Sequence, residues 1–231
     1  MNIRQRVALL RETELFERLE EDALHELADR AVQRVFERGQ AIFVQDEYGD
    51  RLYVIVDGVV KLLVQSSTGE SIELVRHTRP AVLGELAVLD SGPRSATAEA
   101  VDRTTLLSLS RDELFEVLHS EPQVVEAMLR RLTGIVRRTT QDLAALAFLD
   151  LEGRVARRIL VLSKAPEPTP ADGAAGRSRR ITQAEIAQMV SATRQAVNRA
   201  LRSLEHRGYI ELTDGNIRIR DQKGLRRQAD Q

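Results

Sequence analysis

Residues 84–98 combine groups that can hold a buried anion. Their sequence is GELAVLDSGPRSATA, in which Arg94 stands beside the hydroxyl of Ser95. A guanidinium presents a fixed fork of donors that fits phosphate oxygens, and the backbone N–H groups near Gly84 and Ala96 can add more donors. Because an unpaired buried anion is costly, this combination of a cation and donors predicts a phosphate site. A lone arginine is more often part of a surface ion pair, so the prediction depends on the whole segment.

A second set of polar side chains lies near the C-terminus, on two short predicted helices. Thr182 begins a capping box that ends at Glu185, and Thr193 can cap a second helix that ends near His206. The second helix has an apolar face and a polar face, formed respectively by Val197, Ala200, Leu201 and Leu204 and by Arg194, Gln195, Asn198, Arg199 and Arg202. This pattern is typical of a helix-turn-helix, whose second helix enters the major groove of DNA. Arginine can pair there with guanine, and glutamine with adenine.

The segment 208–220 predicts a β-hairpin beside these helices. Asp214-Gly215 is a strong turn signal between two alternating strands. A hairpin in this place forms the wing of a winged helix. The alternative is a structural helical hairpin with solvated arginines, and the coincidence of capping box, turn, basic face and wing argues against it.

The rest of the chain must position these two sites. Residues 1–32 show the helical spacing of apolar side chains, whereas residues 35–109 contain short apolar runs separated by Gly, Asp and Ser turns. The second pattern predicts an antiparallel β-sandwich or roll around the anion site. Ser110 and Glu113 then form a capping box that opens a short helix through His119.

Residues 121–150 predict a long helix with an apolar seam. The seam positions are Val125, Leu129, Leu132, Val136, Thr139, Leu143 and Leu146. They alternate by fours and threes, which is the spacing of a coiled coil, so we expect a parallel helix pair and a homodimer. Packing of this helix against its own domain is the alternative. The polar position Thr139, with Thr140 beside it, is a place for setting the register or for contacting another group.

The two parts of the chain differ in charge. Residues 1–150 contain 18 Lys and Arg against 26 Asp and Glu, a net charge of −8, whereas residues 151–231 contain 16 against 9, a net charge of +7. A basic terminal module is typical of nucleic-acid binding, although a chance imbalance on a solvated surface is the alternative. The absence of cysteine excludes disulfides, cysteine-bound zinc and iron–sulfur clusters. With no apolar run near ~20 residues and no signal-peptide pattern, we expect a cytoplasmic protein without a membrane partner.

Four segments carry a resemblance to a known family. The run ITQAEIAQMVSATRQAVNRALRSLEHRGYIEL resembles the DNA-binding domain of the cyclic AMP receptor protein/FNR (Crp/Fnr) family of regulators. Residues 49–58 and 84–98 resemble the β-roll signature and the phosphate-binding cassette of its cyclic-nucleotide-binding domain. The helix that ends at Asp150 is similar to the family's dimer helix. The resemblance therefore extends over nearly the whole chain.

The resemblance implies an α+β fold in three parts. We expect an N-terminal cyclic-nucleotide-binding β-roll, similar to a jelly roll, over residues 1–120. A long dimerisation helix follows over residues 121–150, and a winged helix-turn-helix DNA-binding domain occupies residues 151–231.

The resemblance also assigns residues to two sites. The cyclic-nucleotide site is expected to contain Gly84, Glu85, Leu86, Arg94, Ser95, Thr139 and Thr140, with Glu85 on the ribose 2′-hydroxyl and the threonines at the base. The DNA contacts are expected from Thr182, Thr193, Arg194, Gln195, Arg199 and Arg202. Two departures stand out. Gln195 stands where the cyclic AMP receptor protein has glutamate, so the preferred base differs there, and Ser191 replaces a common turn glycine, which strains the turn.

These expectations describe a DNA-binding transcription regulator, an activator or a repressor, whose effector is cyclic AMP. Its expected partners are a double-stranded operator with two-fold symmetric half-sites, a second copy of the chain and RNA polymerase. The alternative is a family member that responds to cyclic GMP or needs no ligand, with Glu85 paired to Arg94 inside an empty pocket. The sequence contains no Ser/His/Asp grouping, HExxH motif or Walker loop, so we expect neither an enzyme with catalytic residues nor a metal site.

Overall fold

A computed structural model describes residues 1–163, 186, 189–190, 192–213 and 216–229. The helices of this part are α1 (Ile3–Glu12), α2 (Glu21–Arg30), α3 (Glu85–Asp90), α4 (Arg111–Ser120), α5 (Pro122–Phe148), α6 (Leu151–Leu162), α7 (Arg194–His206) and α8 (Gln222–Ala229). The strands are β1 (Val32–Phe36), β2 (Ala41–Phe43), β3 (Arg51–Asp57), β4 (Val59–Gln65), β5 (Ser71–Thr78), β6 (Val82–Leu83), β7 (Thr97–Ala100), β8 (Thr104–Ser110), β9 (Ile210–Thr213) and β10 (Asn216–Ile219).

The chain divides into two compact units, Met1–Ile135 and Val136–Gln231. Each unit has its own hydrophobic core. The boundary between the units falls within the single long helix α5. The expected domain limits at residues 120 and 150 stay predictions.

The first unit is built on two antiparallel four-stranded sheets. Their strand orders are β1-β8-β3-β6 and β2-β7-β4-β5. Between the two sheets, Tyr53 and Ile55 of β3 and Leu106 of β8 are buried in one cluster with Val60 and Ala98 of the second sheet. The predicted β-roll is therefore confirmed, with alternate strand residues filling its interior.

Helices cover one part of this roll. The predicted helical periodicity of residues 1–32 is confirmed by α1 and α2, whose apolar side chains join the core of the first unit. The capping box of α4 is present as expected, because the Ser110 hydroxyl accepts from the Glu113 N–H and the Glu113 carboxylate accepts from the Ser110 N–H. This cap satisfies backbone donors that have no partner within the helix.

The seam of α5 carries exposed apolar side chains. Leu129, Val136 and Leu143 have relative exposures of 58%, 64% and 66%. In contrast, Val124 and Met128 on the first turns of α5 are buried in the core of the first unit. The long helix expected from the heptad spacing is thus present.

The second unit contains α6, α7, the β9–β10 hairpin and α8. The Oδ1 atom of Asp150 accepts from the Gly153 N–H at 2.7 Å and caps α6. The two strands pair antiparallel, with Ile217 opposite Leu212, as expected for the wing. The expected capping box at Thr182, the turn at Ser191 and the hairpin turn at 214–215 lie outside the described residues. Helix α8 was not expected, and its apolar side packs on α6.

Among the helices that the structure describes, none combines the length and the apolarity needed to cross a bilayer. Within the same ranges, no three His, Cys, Asp or Glu side chains are grouped so that they could hold a metal ion.

Candidate functional site

Arg94 lies in the interior of the β-roll, just before β7. Its backbone N–H donates to the Glu47 carbonyl at 2.8 Å, and its carbonyl accepts from the Asp46 N–H at 2.9 Å. These two bonds fix the residue against the loop between β2 and β3. Only 4% of Arg94 is exposed, so its charge is held away from bulk water.

The guanidinium of Arg94 is bound by backbone carbonyls. Nη1 donates to Gly84 at 2.8 Å and Nη2 donates to Arg51 at 2.7 Å, whereas the buried Nε has no partner among the described residues. Burial lowers the pKa of Arg94 from its usual value, and the nearby Tyr53 and Asp50 partly oppose this shift. None of the ion pairs found among the described residues includes Arg94.

Two glycines and one aromatic ring enclose this guanidinium. A Cβ atom on Gly84 would lie 2.6 Å from Nη1 of Arg94, and one on Gly49 would lie 2.3 Å from Nη2. Gly84 also has a φ of +80°, a conformation that side chains other than glycine rarely adopt. The Cζ atom of Arg94 lies 4.4 Å from the ring centroid of Phe43, which stacks in turn on Tyr53. Phe43 was missed in the sequence, since nothing in its own segment indicates this contact.

Glu85 begins α3 directly after Gly84 and is also buried. Its Oε1 atom accepts from Nε of Arg131 at 2.8 Å, and Nη2 of Arg131 binds the Val82 carbonyl. The alternative in which Glu85 neutralises Arg94 is therefore wrong for this structure, because α5 brings Arg131 to that carboxylate instead. Arg131 was missed in the sequence, where it looks like the other arginines of the helix.

The residues expected at the nucleotide site are distributed over both units. Gly84, Glu85 and Arg94 come together, with Leu86 half-buried on α3 and the exposed Ser95 next in the chain. Thr139 and Thr140 are exposed and belong to the second unit. The Thr140 hydroxyl donates to the Val136 carbonyl at 2.9 Å, a common bond for a helical threonine. A role of the two threonines at a ligand stays a prediction.

Helix α7 presents the polar face expected of a recognition helix. The Thr193 hydroxyl accepts from the Ala196 N–H at 3.2 Å and caps the helix as predicted. The expected inward face is buried, while the outward face contains the exposed Arg194, Gln195, Arg199 and Arg202 and the half-buried Asn198. No ion pair joins these arginines to another described residue. Their N–H donors can therefore bind base edges or phosphates.

The C-terminal end of α7 is anchored to its neighbours. Arg207 binds Glu152 of α6 at 3.0 Å and also donates to Gln228 of α8. The Glu205 carboxylate accepts from the Leu212 N–H at 2.9 Å and ties α7 to the hairpin. These contacts hold the polar face of α7 on a rigid support, which favours accurate contact with DNA.

Known proteins resemble the chain in both halves. Residues 33–121 match the cyclic nucleotide-binding domain family, and residues 153–228 match the Crp-like helix-turn-helix domain family. The chain is 36% identical over 215 residues to a CRP-like cAMP-activated global transcriptional regulator of Mycobacterium tuberculosis, covering 93% of this chain and 96% of that protein.

Solved structures share the fold. The Thermus thermophilus catabolite activator protein is 27% identical with a TM-score of 0.55, and the match covers 94% of this chain and 99% of that one. The c-di-GMP responsive global regulator CLP of Xanthomonas campestris has a TM-score of 0.72 at 20% identity, over 87% of this chain and 99% of that one.

The two matched families follow the order expected from the sequence, with the ligand-binding β-roll first and the DNA-binding module last. The Mycobacterium tuberculosis relative extends this similarity over nearly the full length of both chains. The protein is a regulator and not an enzyme. The chain belongs to the cyclic AMP receptor protein/FNR family of DNA-binding transcription regulators.

Proposed function

We propose that this regulator binds a cyclic nucleotide around Arg94 and that cyclic AMP is its effector. The observation that carries the proposal is the buried guanidinium of Arg94, which has no carboxylate partner in the described chain and an unpartnered Nε. A buried cation in this state is stabilised by an anion such as a cyclic phosphate. Among anionic ligands we propose cyclic AMP, because the similar regulator from Mycobacterium tuberculosis is cAMP-activated.

Each part of the nucleotide has a proposed partner. The phosphate binds Arg94, with the Ser95 hydroxyl and nearby backbone N–H groups as further donors. Glu85 accepts a hydrogen bond from the ribose 2′-hydroxyl. The base meets Thr139 and Thr140, whose hydroxyls can donate to or accept from its edge.

We further propose that the chain acts as a homodimer through the seam of α5. Exposed leucine and valine side chains at heptad spacing are stabilised when a second helix covers them. A dimer presents two α7 helices to half-sites about one DNA turn (~34 Å) apart, so the operator has two-fold symmetry. We also propose that the protein is cytoplasmic and that its complex with the operator contacts RNA polymerase.

The proposed control is a population shift between two dimer states. Helix α5 contains Arg131, which binds the cassette residue Glu85, as well as Thr139 and the seam. A ligand that contacts Glu85 and Thr139 therefore changes the partners of the dimer helix. It controls DNA binding only if it binds one dimer state more tightly than the other.

Calorimetry with cyclic AMP, cyclic GMP and cyclic di-GMP tests the ligand. We expect cyclic AMP to bind once per protomer to the wild-type protein and not measurably to Arg94→Ala. Arg103→Ala is a matched control, because that arginine is 70% exposed and lies outside the pocket. Equal binding by wild type and Arg94→Ala, or no binding of any nucleotide, contradicts the proposal.

A ligand-independent regulator is the second candidate function. It is favoured by the fact that Glu85 and both Nη atoms of Arg94 already have partners within the chain. These bonds hold both side chains in place without an effector, although Nε of Arg94 stays unpartnered. If this alternative holds, the nucleotide-free protein binds its operator tightly, and cyclic AMP does not change that affinity.

A further inference from the structure

Arg94 faces an aromatic ring in the place where a buried arginine usually has a carboxylate. Buried cations are nearly always paired with an acid, because an unpaired charge is costly away from water. Here the ring of Phe43 lies over the guanidinium at 4.4 Å. The buried carboxylate of this region, Glu85, binds Arg131 instead.

A ring and a carboxylate have different consequences for an incoming anion. The face of an aromatic ring attracts a cation through its quadrupole but carries no net charge. A carboxylate in the same place would neutralise Arg94, and a phosphate would then have to displace it. The ring therefore stabilises the buried guanidinium without adding a negative charge beside it.

The ring is itself held in position. Phe43 and Tyr53 stack with centroids 5.9 Å apart and ring planes inclined by 27°. On another side, a Cβ atom on Gly84 would lie 3.3 Å from the Phe43 ring, so the cassette backbone passes close to it. Phe43 thus has little freedom to move away from the guanidinium.

We propose that Phe43 is a positioning residue for effector binding, which orients Arg94 toward the cyclic phosphate without neutralising it. This inference rests on the proposed function, in which the pocket binds a cyclic nucleotide. It places one determinant of ligand affinity on β2, outside the cassette segment 84–98.

The first test compares three variants in titrations with cyclic AMP. Phe43→Leu keeps an apolar side chain but removes the ring, so we expect affinity to fall about three- to thirtyfold. Phe43→Tyr retains the ring face, and we expect its affinity to stay near that of the wild type. Phe36→Leu is the matched control, because Phe36 packs on the same hydrophobic cluster without a described contact to Arg94.

The second test separates positioning from general loosening of the roll. The two phosphorothioate diastereomers of cyclic AMP place sulfur on different exocyclic positions, so their affinity ratio reports how the guanidinium is aimed at the phosphate. We expect Phe43→Leu to bring this ratio closer to one, whereas a merely structural defect weakens both diastereomers equally.

The outcomes separate this inference from the proposed function. Wild-type affinity in Phe43→Leu, or a loss equal to that of Phe36→Leu with an unchanged diastereomer ratio, overturns the role of Phe43 alone. Wild-type protein that binds no cyclic AMP overturns the proposed function as well.

Discussion

Arg131 donates a hydrogen bond to Glu85 at 2.8 Å and so joins the long helix α5 to the first turn of α3. The two side chains are 16% and 6% exposed, which makes this a largely buried ion pair. Because Glu85 is also the proposed acceptor for the ribose hydroxyl, a ligand and the dimer helix share one carboxylate. In the proposed function, this ion pair is the described contact that would transmit ligand binding at Glu85 to α5.

Removal of Arg131 is expected to weaken the first unit and its ligand site together. In Arg131→Ala the Glu85 carboxylate stays buried without its cation, which lowers the free energy of unfolding by about 3 kcal/mol. Urea unfolding of the full chain measures this change, and calorimetry with cyclic AMP measures the accompanying loss of affinity.

The adjacent Arg130 provides the control. Its ion pair with Glu126 is exposed, and such pairs contribute about 1 kcal/mol or less. Equal effects of Arg130→Ala and Arg131→Ala on unfolding would show that burial of the Glu85 pair has no energetic consequence.

Replacement of Arg94 by lysine is expected to make ligand affinity depend on pH. Burial lowers the pKa of the cation at this position, and a lysine begins from a lower ordinary value of about 10.4. The charged form binds phosphate, so affinity of Arg94→Lys for cyclic AMP falls as pH rises through the lowered pKa. Wild-type affinity stays flat between about pH 7 and 9.5, because arginine keeps its proton. Parallel profiles for the two proteins would contradict this account.

A charge in the α5 seam is expected to separate the dimer. Leu143→Glu places two like charges in an interface that excludes water, at an expected cost of several kcal/mol. Analytical ultracentrifugation should show monomers at concentrations where the wild type is dimeric. Gln141→Glu adds the same charge away from the seam positions and should leave the dimer intact. A dimeric Leu143→Glu protein would place the interface elsewhere.

Arg199 is expected to contribute strongly to operator binding. Arg199→Ala removes the expected contact to a base or phosphate and should weaken binding by about 1–3 kcal/mol. Gel-shift titrations measure the change, and cyclic AMP affinity should not alter. Arg38→Ala removes an exposed arginine from the first unit and should bind the operator like the wild type. A wild-type affinity in Arg199→Ala would remove this residue from the interface.

Gln195 is expected to determine one base of the half-site. Glutamine pairs with adenine, whereas a carboxylate accepts from the amino group of cytosine. Selection of binding sites from random DNA should therefore show a changed preference at one symmetric pair of positions in Gln195→Glu. An unchanged site would mean that Gln195 does not touch a base.

Local patterns in the sequence are sufficient to predict most of the helices and strands. The capping box at Ser110 and the two faces of α7 depend on residues within one or two helical turns, so their spacing predicts them directly. The alternating runs between residues 35 and 109 likewise predicted the roll, because its core is formed by alternate strand residues.

Contacts between distant segments could not be predicted in the same way. Phe43 reaches Arg94 because β2 pairs with β7. The sequence around either residue does not predict that pairing. Arg131 reaches Glu85 across 46 positions, and its type and spacing do not distinguish it from Arg130. Helix α8 has a single large apolar side chain, Leu225, and it is recognisable only through its packing on α6.

The most direct test of ligand control is the affinity of the regulator for its operator with and without saturating cyclic AMP. The account predicts tighter or weaker binding by at least about fivefold in the wild type, and no response in Arg94→Ala. Identical operator affinities of the wild-type protein in both conditions would contradict it.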